Sequence, residues 1–224
     1  MLASMSRALS YRQARAFYDR FGARQDSQAF YEDPALRHLI AHGSFETAGS
    51  VFELGCGTGR LACWLLARHL PESAVYLGCD ISLTMARLAS RRLRPYAARS
   101  LVVQTGGGAL PAVGSRFDRF LSTYVLDLLS EDAAAGAVAE AHRLLTPGGK
   151  LCLVGITAGR APLSRLVMSA WSLVQRLAPA AVGGCRPTDV RELLPASRWR
   201  VEHHAVVARF GVASQVLVAS PVPA

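Results

Sequence analysis

Between residues 50 and 157, five short and almost wholly apolar runs (50–55, 74–80, 100–105, 117–123 and 150–157) are interleaved with segments whose apolar residues recur at helical spacing (60–70, 83–93 and 131–145). A run that is apolar at every position belongs in a strand covered on both faces, and strands separated by crossover helices pair in parallel. The pattern predicts a doubly wound α/β domain. A chain of 224 residues is about one domain long, and with 51% hydrophobic and 18% charged residues it can bury a full core.

The two ends of the chain read differently. Residues 6–20 and 34–42 are expected as helices, the second opened by Asp33-Pro34 and stopped by Gly43. After residue 157 the rhythm breaks. A helix over 163–178 places Leu163, Leu166, Val167, Ala170, Trp171, Val174 and Leu177 on one face, and a short helix over 187–194 opens at Pro187. The runs 199–210 and 213–220 are joined at Gly211 so tightly that they must be antiparallel strands. The expected division is a single domain over 1–224, made of an N-terminal helical lid (1–48), a central core (49–157), a helical insertion (158–198) and a terminal strand pair (199–220).

The charge balance is 25 basic against 16 acidic residues, a net +9, and Lys150 is the only lysine. Nucleic-acid binders concentrate their basic residues on one face. Here the arginines are spread from Arg7 to Arg209, so no nucleic-acid partner is expected. Arginine codon bias explains most of the skew, and an anionic partner such as a lipid surface is the alternative. The five cysteines form no CxxC pair and read as free, reduced thiols of a cytoplasmic protein. Residues 1–16 lack the apolar core of a signal peptide, and no apolar stretch reaches the ~20 residues of a membrane helix. His38 and His42 stand four apart on a predicted helix without a third ligand, and His203 and His204 point to opposite faces of a strand, so no metal is expected.

The junction of the first strand and first helix is Glu53-Leu54-Gly55-Cys56-Gly57-Thr58-Gly59. Ligands of doubly wound sheets bind at the carboxyl ends of strands, where glycines let the backbone come close. A dinucleotide site wants G-x-G-x-x-G, and a P-loop ends in GK[ST]. Glycines at 55, 57 and 59 behind an acid suit a ligand with an ammonium group better than one with phosphates. Asp80 closes the second strand, where a carboxylate can accept hydrogen bonds from ribose hydroxyls; a helix N-cap is the alternative role, which Ser82 can fill.

At these residues the sequence resembles the class I S-adenosylmethionine-dependent methyltransferases, in FELGCGTG, Asp80 and LLTPGGK (144–150), over a span from about Tyr18 to the final strand pair. The resemblance implies a Rossmann-like, seven-stranded sheet with a final antiparallel strand pair, and S-adenosyl-L-methionine as cofactor. It implies that Gly55, Gly57 and Gly59 line the methionine portion, that Glu53 holds the turn or the ammonium side, that Asp80 binds ribose, and that Ile81 and Met85 sandwich adenine. Cys56, Thr58, Gly107, Gly108, Ala109, Leu110 and Ser122 complete the implied cofactor set. Many small-molecule members carry G-D-A-x-x-L-P after strand three; here Leu110-Pro111 is present, but Gly106 stands in the acid's place.

For the methyl acceptor, Tyr124 and Asp127 are polar groups beside the apolar run after strand four. Tyr124 could orient the acceptor and Asp127 act as a base; the alternatives are a core position and a backbone hydrogen bond. The N-P-P-[YF] signature of many nucleic-acid and some protein amine methyltransferases is absent. Residues 18–21, YDRF, resemble the opening of the ubiquinone/menaquinone-biosynthesis and phospholipid methyltransferase-like members, which makes Tyr18 and Phe21 lid residues. The stripe that includes Trp171 points to a hydrophobic acceptor, a peripheral membrane contact or an ordinary core-facing helix, and Arg186 in GGCRP (183–187) could meet an anionic group. The expected activity is methyl transfer to a small, hydrophobic or lipid-like acceptor. The alternatives are a non-catalytic, cofactor-binding partner subunit and, disfavoured by the glycine spacing, a dinucleotide-dependent oxidoreductase.

Overall fold

The computed structural model describes residues 9–106, 110–112, 114 and 116–222, so the expectations at Gly107, Gly108 and Ala109 lie outside the described residues. Seven strands form one sheet: β1 (Ser50–Leu54), β2 (Val75–Asp80), β3 (Ser100–Gln104), β4 (Phe117–Thr123), β5 (Leu145–Ile156), β6 (Trp199–Arg209) and β7 (Val212–Pro221). Their order is β3-β2-β1-β4-β5-β7-β6. The first five pair in parallel, and β7 runs antiparallel to both β5 and β6. Strand order reverses direction between β1 and β4, which opens a crevice at their carboxyl ends.

The helices are α1 (Tyr11–Phe21), α2 (Ala29–His42), α3 (Arg60–Arg68), α4 (Leu83–Arg92), α5 (Glu131–Leu144) and α6 (Pro162–Leu177). Adjacent strand residues enter opposite cores, as the period of two requires. Val51 joins Leu36, Leu39, Leu65 and Met168 on the side of α2, α3 and α6, while Phe52 joins Phe120, Val138 and Ala141 on the side of α5. No helix among the described residues is long and apolar enough to cross a membrane.

Several boundaries and one helix face differ from expectation, each for a local reason. Helix α1 starts at Tyr11 because Ser10 and Gln13 form a reciprocal capping box. Asp33-Pro34 does not open α2: the helix begins at Ala29, fed by the 3₁₀ segment Gly22–Gln28, and carries Pro34 inside. Pro34 thereby forfeits one hydrogen bond, to the carbonyl of the exposed Phe30. Strand β5 begins early because Leu145 already pairs with Phe117, before a register shift. Pro187 opens no α-helix; a 3₁₀ turn, Val190–Leu193, follows instead, capped by the Asp189 side chain.

Helix α6 turns a different face to the sheet than its apolar stripe suggests. Ser164, Met168 and Gln175 are its buried residues, with Trp171 partly covered between them. Close approach sets this rotation: a Cβ on Gly159 would stand 2.2 Å from the Ser164 backbone. Buried Ser164 is satisfied by donating to the Ala161 carbonyl. Leu163, Leu166, Leu173 and Leu177 are left 57–78% exposed.

Candidate active site

The glycine turn is pinned to the end of β2. Gly55 and Cys56 donate their N–H groups to the Cys79 carbonyl (2.8 and 3.0 Å). Gly55, Gly57 and Gly59 have φ of 75°, 53° and 74°, a region that side chains resist. The space is also full: a Cβ at Gly55 would lie 2.3 Å from Val125, and one at Gly59 would lie 2.9 Å from the Ala89 backbone. Below the turn, buried Glu53 accepts from the Tyr76 hydroxyl (2.5 Å), and burial pushes its carboxyl up to about 7 against that hydrogen bond. Gly78 makes this contact possible, since any Cβ there would sit 2.5 Å from the same hydroxyl. Glu53 thereby ties β1 to β2 below the turn, and it is not among the residues that line the cavity above.

Asp80 stands at the cavity wall with both oxygens engaged: Gly57 N–H donates to Oδ2 (2.9 Å) and Ser82 N–H to Oδ1 (2.8 Å). Each oxygen keeps a second lone pair for a ligand. Burial raises the Asp80 carboxyl to about 6, while the Ser82 and Gly57 hydrogen bonds pull it down. Ser82, not Asp80, caps α4, through Met85 N–H.

The segment before β1 closes over this turn. Tyr11 donates its hydroxyl to the Thr105 carbonyl (2.7 Å), and Asp19 accepts from the Ser82 hydroxyl (2.6 Å). Asp26 accepts from Thr58 (2.6 Å) and pairs with Arg92 (2.5 Å). Arg60, the first residue of α3, pairs with Glu32 (2.7 Å) and Asp33 of α2. Gln25 presses on Gly57, where a Cβ would lie 3.1 Å from its amide.

The cavity between the N-terminal helical segment and the sheet measures about 590 Å³, within the range of small-molecule sites. Gly55, Gly57, Asp80, Ile81, Thr105 and Leu110 line one end; Tyr124, Val125, Leu128, Leu129, Ala133 and Ala137 line the other. Tyr18 and Gln25 border it from the lid, and Glu140 from α5. In a chain of net +9, the described lining includes Asp80 and Glu140 but no lysine or arginine.

Tyr124 has φ 56°, a left-handed conformation that an aromatic residue adopts only when its surroundings enforce it. Two contacts do so: its N–H donates to the Val154 carbonyl (2.7 Å), and its hydroxyl bonds the Ser214 hydroxyl (2.9 Å). Asp127 is fully buried and lies behind the lining. Its Oδ2 accepts from Ile156 N–H (3.1 Å), and burial raises its carboxyl to about 6 against that bond. The GGCRP run stands behind the lining. Tyr18 donates to the Gly183 carbonyl (3.3 Å), Trp171 Nε1–H to the Cys185 carbonyl (3.0 Å), and the Arg186 guanidinium to the Leu129 carbonyl.

Of the residues singled out in the sequence, Gly55, Gly57, Asp80, Ile81, Leu110, Tyr18 and Tyr124 meet at this cavity. Glu53, Cys56, Thr58, Gly59, Met85 and Ser122 support it from behind, and Met85 is wholly buried. Phe21 stacks on Phe17 (5.3 Å between centroids), and Trp171, Arg186 and Asp127 likewise stand off the lining. Tyr11, Gln25, Asp26 and Arg60 carry no motif and Asp19 lies inside YDRF without being singled out, so sequence reading missed them; only Asp19 and Arg60, directly after the glycine turn, had a positional hint.

Residues 51–149 match the profile of the family described as Methyltransferase domain. A ubiquinone/menaquinone biosynthesis C-methyltransferase UbiE from Syntrophotalea carbinolica is 28% identical over 130 residues, 58% of this chain and 51% of that protein. The protein of the same name from Desulfotalea psychrophila is 32% identical over 119 residues, 52% of this chain and 46% of that one. The chain thus spans about half the length of the curated relatives it matches. Among solved structures, the [4+2]-cyclase SpnF superposes with a TM-score of 0.72 at 18% identity, over 96% of this chain and 98% of that one. With the match over residues 51–149, the seven-stranded order and a glycine turn facing an acid at the end of β2, the chain is similar to the class I S-adenosylmethionine-dependent methyltransferases in that domain and in its fold.

Proposed function

We propose that this chain transfers the methyl group of S-adenosylmethionine to a small, hydrophobic or lipid-like acceptor. The observation that carries the proposal is the character of the cavity: a glycine turn with Asp80 at one end, an apolar wall at the other, and no lysine or arginine among the described lining. A phosphate-bearing dinucleotide finds no cation there, whereas the cofactor, when bound, supplies a methyl group on a positively charged sulfonium. Asp80 would accept from the ribose hydroxyls, and the bare backbone of Gly55 and Gly57 would admit the methionine portion. Ile81 and Leu110 offer apolar contact to the base.

Catalysis by displacement at a methyl carbon depends mainly on alignment and on excluding water. Tyr124, fixed by Val154 and Ser214, would orient the acceptor against the apolar wall. Asp127 serves as a positioning residue: through the Ile156 N–H it holds β5 in place. The lid over 11–28, tied down by Asp19, Asp26 and Arg60, closes the cofactor end.

The outer face of α6 supports an acceptor drawn from a membrane. Leu163, Leu166, Leu173 and Leu177 are exposed beside Arg165 and Arg176, and the helix contains no acid. An apolar face flanked by cations suits an anionic lipid leaflet. A partner-subunit role has less support, because the curated relatives are named as methyltransferases. Since the fold alone also serves a cyclase, turnover has to be measured.

The test is to incubate the protein with methyl-labelled S-adenosylmethionine and a host lipid extract, and to divide the label between organic solvent, acid precipitate and water. Label in the organic phase is the expected result. Label confined to the precipitate would make the acceptor a macromolecule, and cofactor binding without any transfer would favour the partner-subunit role.

A further inference from the structure

On the far side of α2 from the cavity, the fold brings together three histidines that are scattered in the sequence. His38 and His42, four residues apart, lie one above the other on α2. His203 comes from the edge strand β6, and a register shift between Val201 and His203 decides which way it points. Val201 pairs with Ala219, so an unbroken ladder would set His203 opposite Leu217, on the α5 side of the sheet. The bulge at Glu202 advances the pairing by one, and His203 stands opposite Val218, on the α2 side. His204, opposite Leu217, takes the other face.

The three rings are in contact. His38 Nε2 and His203 Nε2 are 2.8 Å apart, and the His42 and His203 rings stack at 3.7 Å between centroids. The His42 Nδ1 lies 2.8 Å from the His38 carbonyl oxygen. A carbonyl only accepts, so Nδ1 carries the proton, and in the neutral ring Nε2 presents its lone pair. A ring nitrogen held in this way is the usual support of a metal-binding histidine. One nitrogen can be chosen from each ring so that all lie within 4.8 Å of one another. The nearby carboxylate, Glu202, is engaged by Lys150 (3.1 Å).

We propose that His38, His42 and His203 form a binding site for a divalent ion of the zinc type, with water as the fourth ligand. Nitrogens around such an ion sit about 3.3 Å apart at metal–nitrogen distances of about 2.0–2.1 Å, which these part-exposed rings reach by turning about their side-chain torsions. The proton shared between the two facing Nε2 atoms moves with its ring's tautomer to Nδ1, so both lone pairs face the ion. The ion would clamp α2 to the edge of the sheet. Helix α2 also carries Glu32 and Asp33, which hold Arg60 beside the glycine turn.

The full chain, stripped with chelator, is titrated with Zn²⁺ by calorimetry and with Co²⁺ by visible spectroscopy. Expected are one ion per chain, the intense Co²⁺ bands of a four-coordinate site, and a rise in Tm on adding Zn²⁺. His203→Gln and His42→Gln should each weaken Zn²⁺ binding by about tenfold or more and abolish the Tm rise. His204→Gln, on the opposite face, should leave both unchanged. His42 is exposed, so its variant keeps the fold even if the His203 variant does not. Absence of binding by the unaltered chain, or binding that survives both His42→Gln and His203→Gln, would overturn the proposal.

Discussion

At the cofactor end of the cavity the essential groups come from a short stretch of chain: Gly55 and Cys56 donate to Cys79, Gly57 to Asp80, and Ser82 to Asp80. At the opposite, apolar end, Tyr18 reaches a residue 165 positions away and Tyr124 one 90 away, and behind the lining Arg186 reaches one 57 away. The first end is a strand–turn–helix unit whose chemistry is set by glycine spacing and one acid. The second is a wall from α1, the segment after β4 and α5, backed by the GGCRP turn and β7. Local geometry therefore shapes the glycine-turn end of the cavity, and long-range packing shapes the other.

The largest blow to the cofactor end should come from Gly55→Ala. A side chain at φ 75° that meets Val125 at 2.3 Å combines backbone strain with overpacking. Denaturant unfolding should show a loss of about 2–4 kcal/mol, and a loss under half of that would mean that the turn is not rigid.

Asp80→Ala should leave the fold intact and weaken S-adenosylmethionine binding by about 1–3 kcal/mol, the scale of losing charge-assisted hydrogen bonds. Calorimetry that finds unchanged affinity would remove Asp80 from the site. The same residue sets a pH dependence. Because burial raises its carboxyl to about 6, acid below that value neutralises it, and binding should weaken as pH falls from 7 to 5. In Asp80→Asn that slope should vanish.

The acceptor end should respond more mildly to single polar deletions. Tyr124→Phe removes the bond to Ser214 and should cost about 1 kcal/mol of stability, with Ser214→Ala costing about the same and the double variant little more. Additive losses would show that the two hydroxyls act separately. If Tyr124 orients the acceptor, kcat should fall in Tyr124→Phe while cofactor affinity holds.

The smallest effect belongs to Gly106, where a Cβ meets nothing within 4 Å. Gly106→Asp should shift stability by no more than about 0.5 kcal/mol. It returns a carboxylate to the place where many relatives hold the adenine amino group, so tighter cofactor binding is the expected result in the same calorimetry.

Most of the strand and helix order is legible in the chain because unbroken apolar runs and helical spacing report burial directly. The misreadings fall where local signals compete with packing. Asp33-Pro34 has the form of a helix start, yet a 3₁₀ lead-in carries the helix through it. The stripe on α6 left a core-facing helix and a membrane contact both open, and packing divides it: Val167 and Trp171 lie partly buried against the core, while Leu163, Leu166 and Leu177 face outward. Trp171 and Arg186, acceptor contacts by residue type, stand off the described lining, where the Trp171 indole N–H donates to the Cys185 carbonyl and one Arg186 N–H donates to the Leu129 carbonyl.

By itself the sequence determined the doubly wound sheet, from apolar runs alternating with helical spacing, its antiparallel close, from the tight connection at Gly211, and the glycine turn with the acid facing it, from residue type at fixed spacing within one βαβ unit. Only the tertiary structure decided which residues reach the cavity, that its described lining carries no lysine or arginine, that Tyr124 is held at positive φ, and that a one-residue bulge turns His203 toward His38 and His42. These depend on where segments far apart in the chain meet, and on a strand register whose shift by one residue exchanges the faces of the sheet.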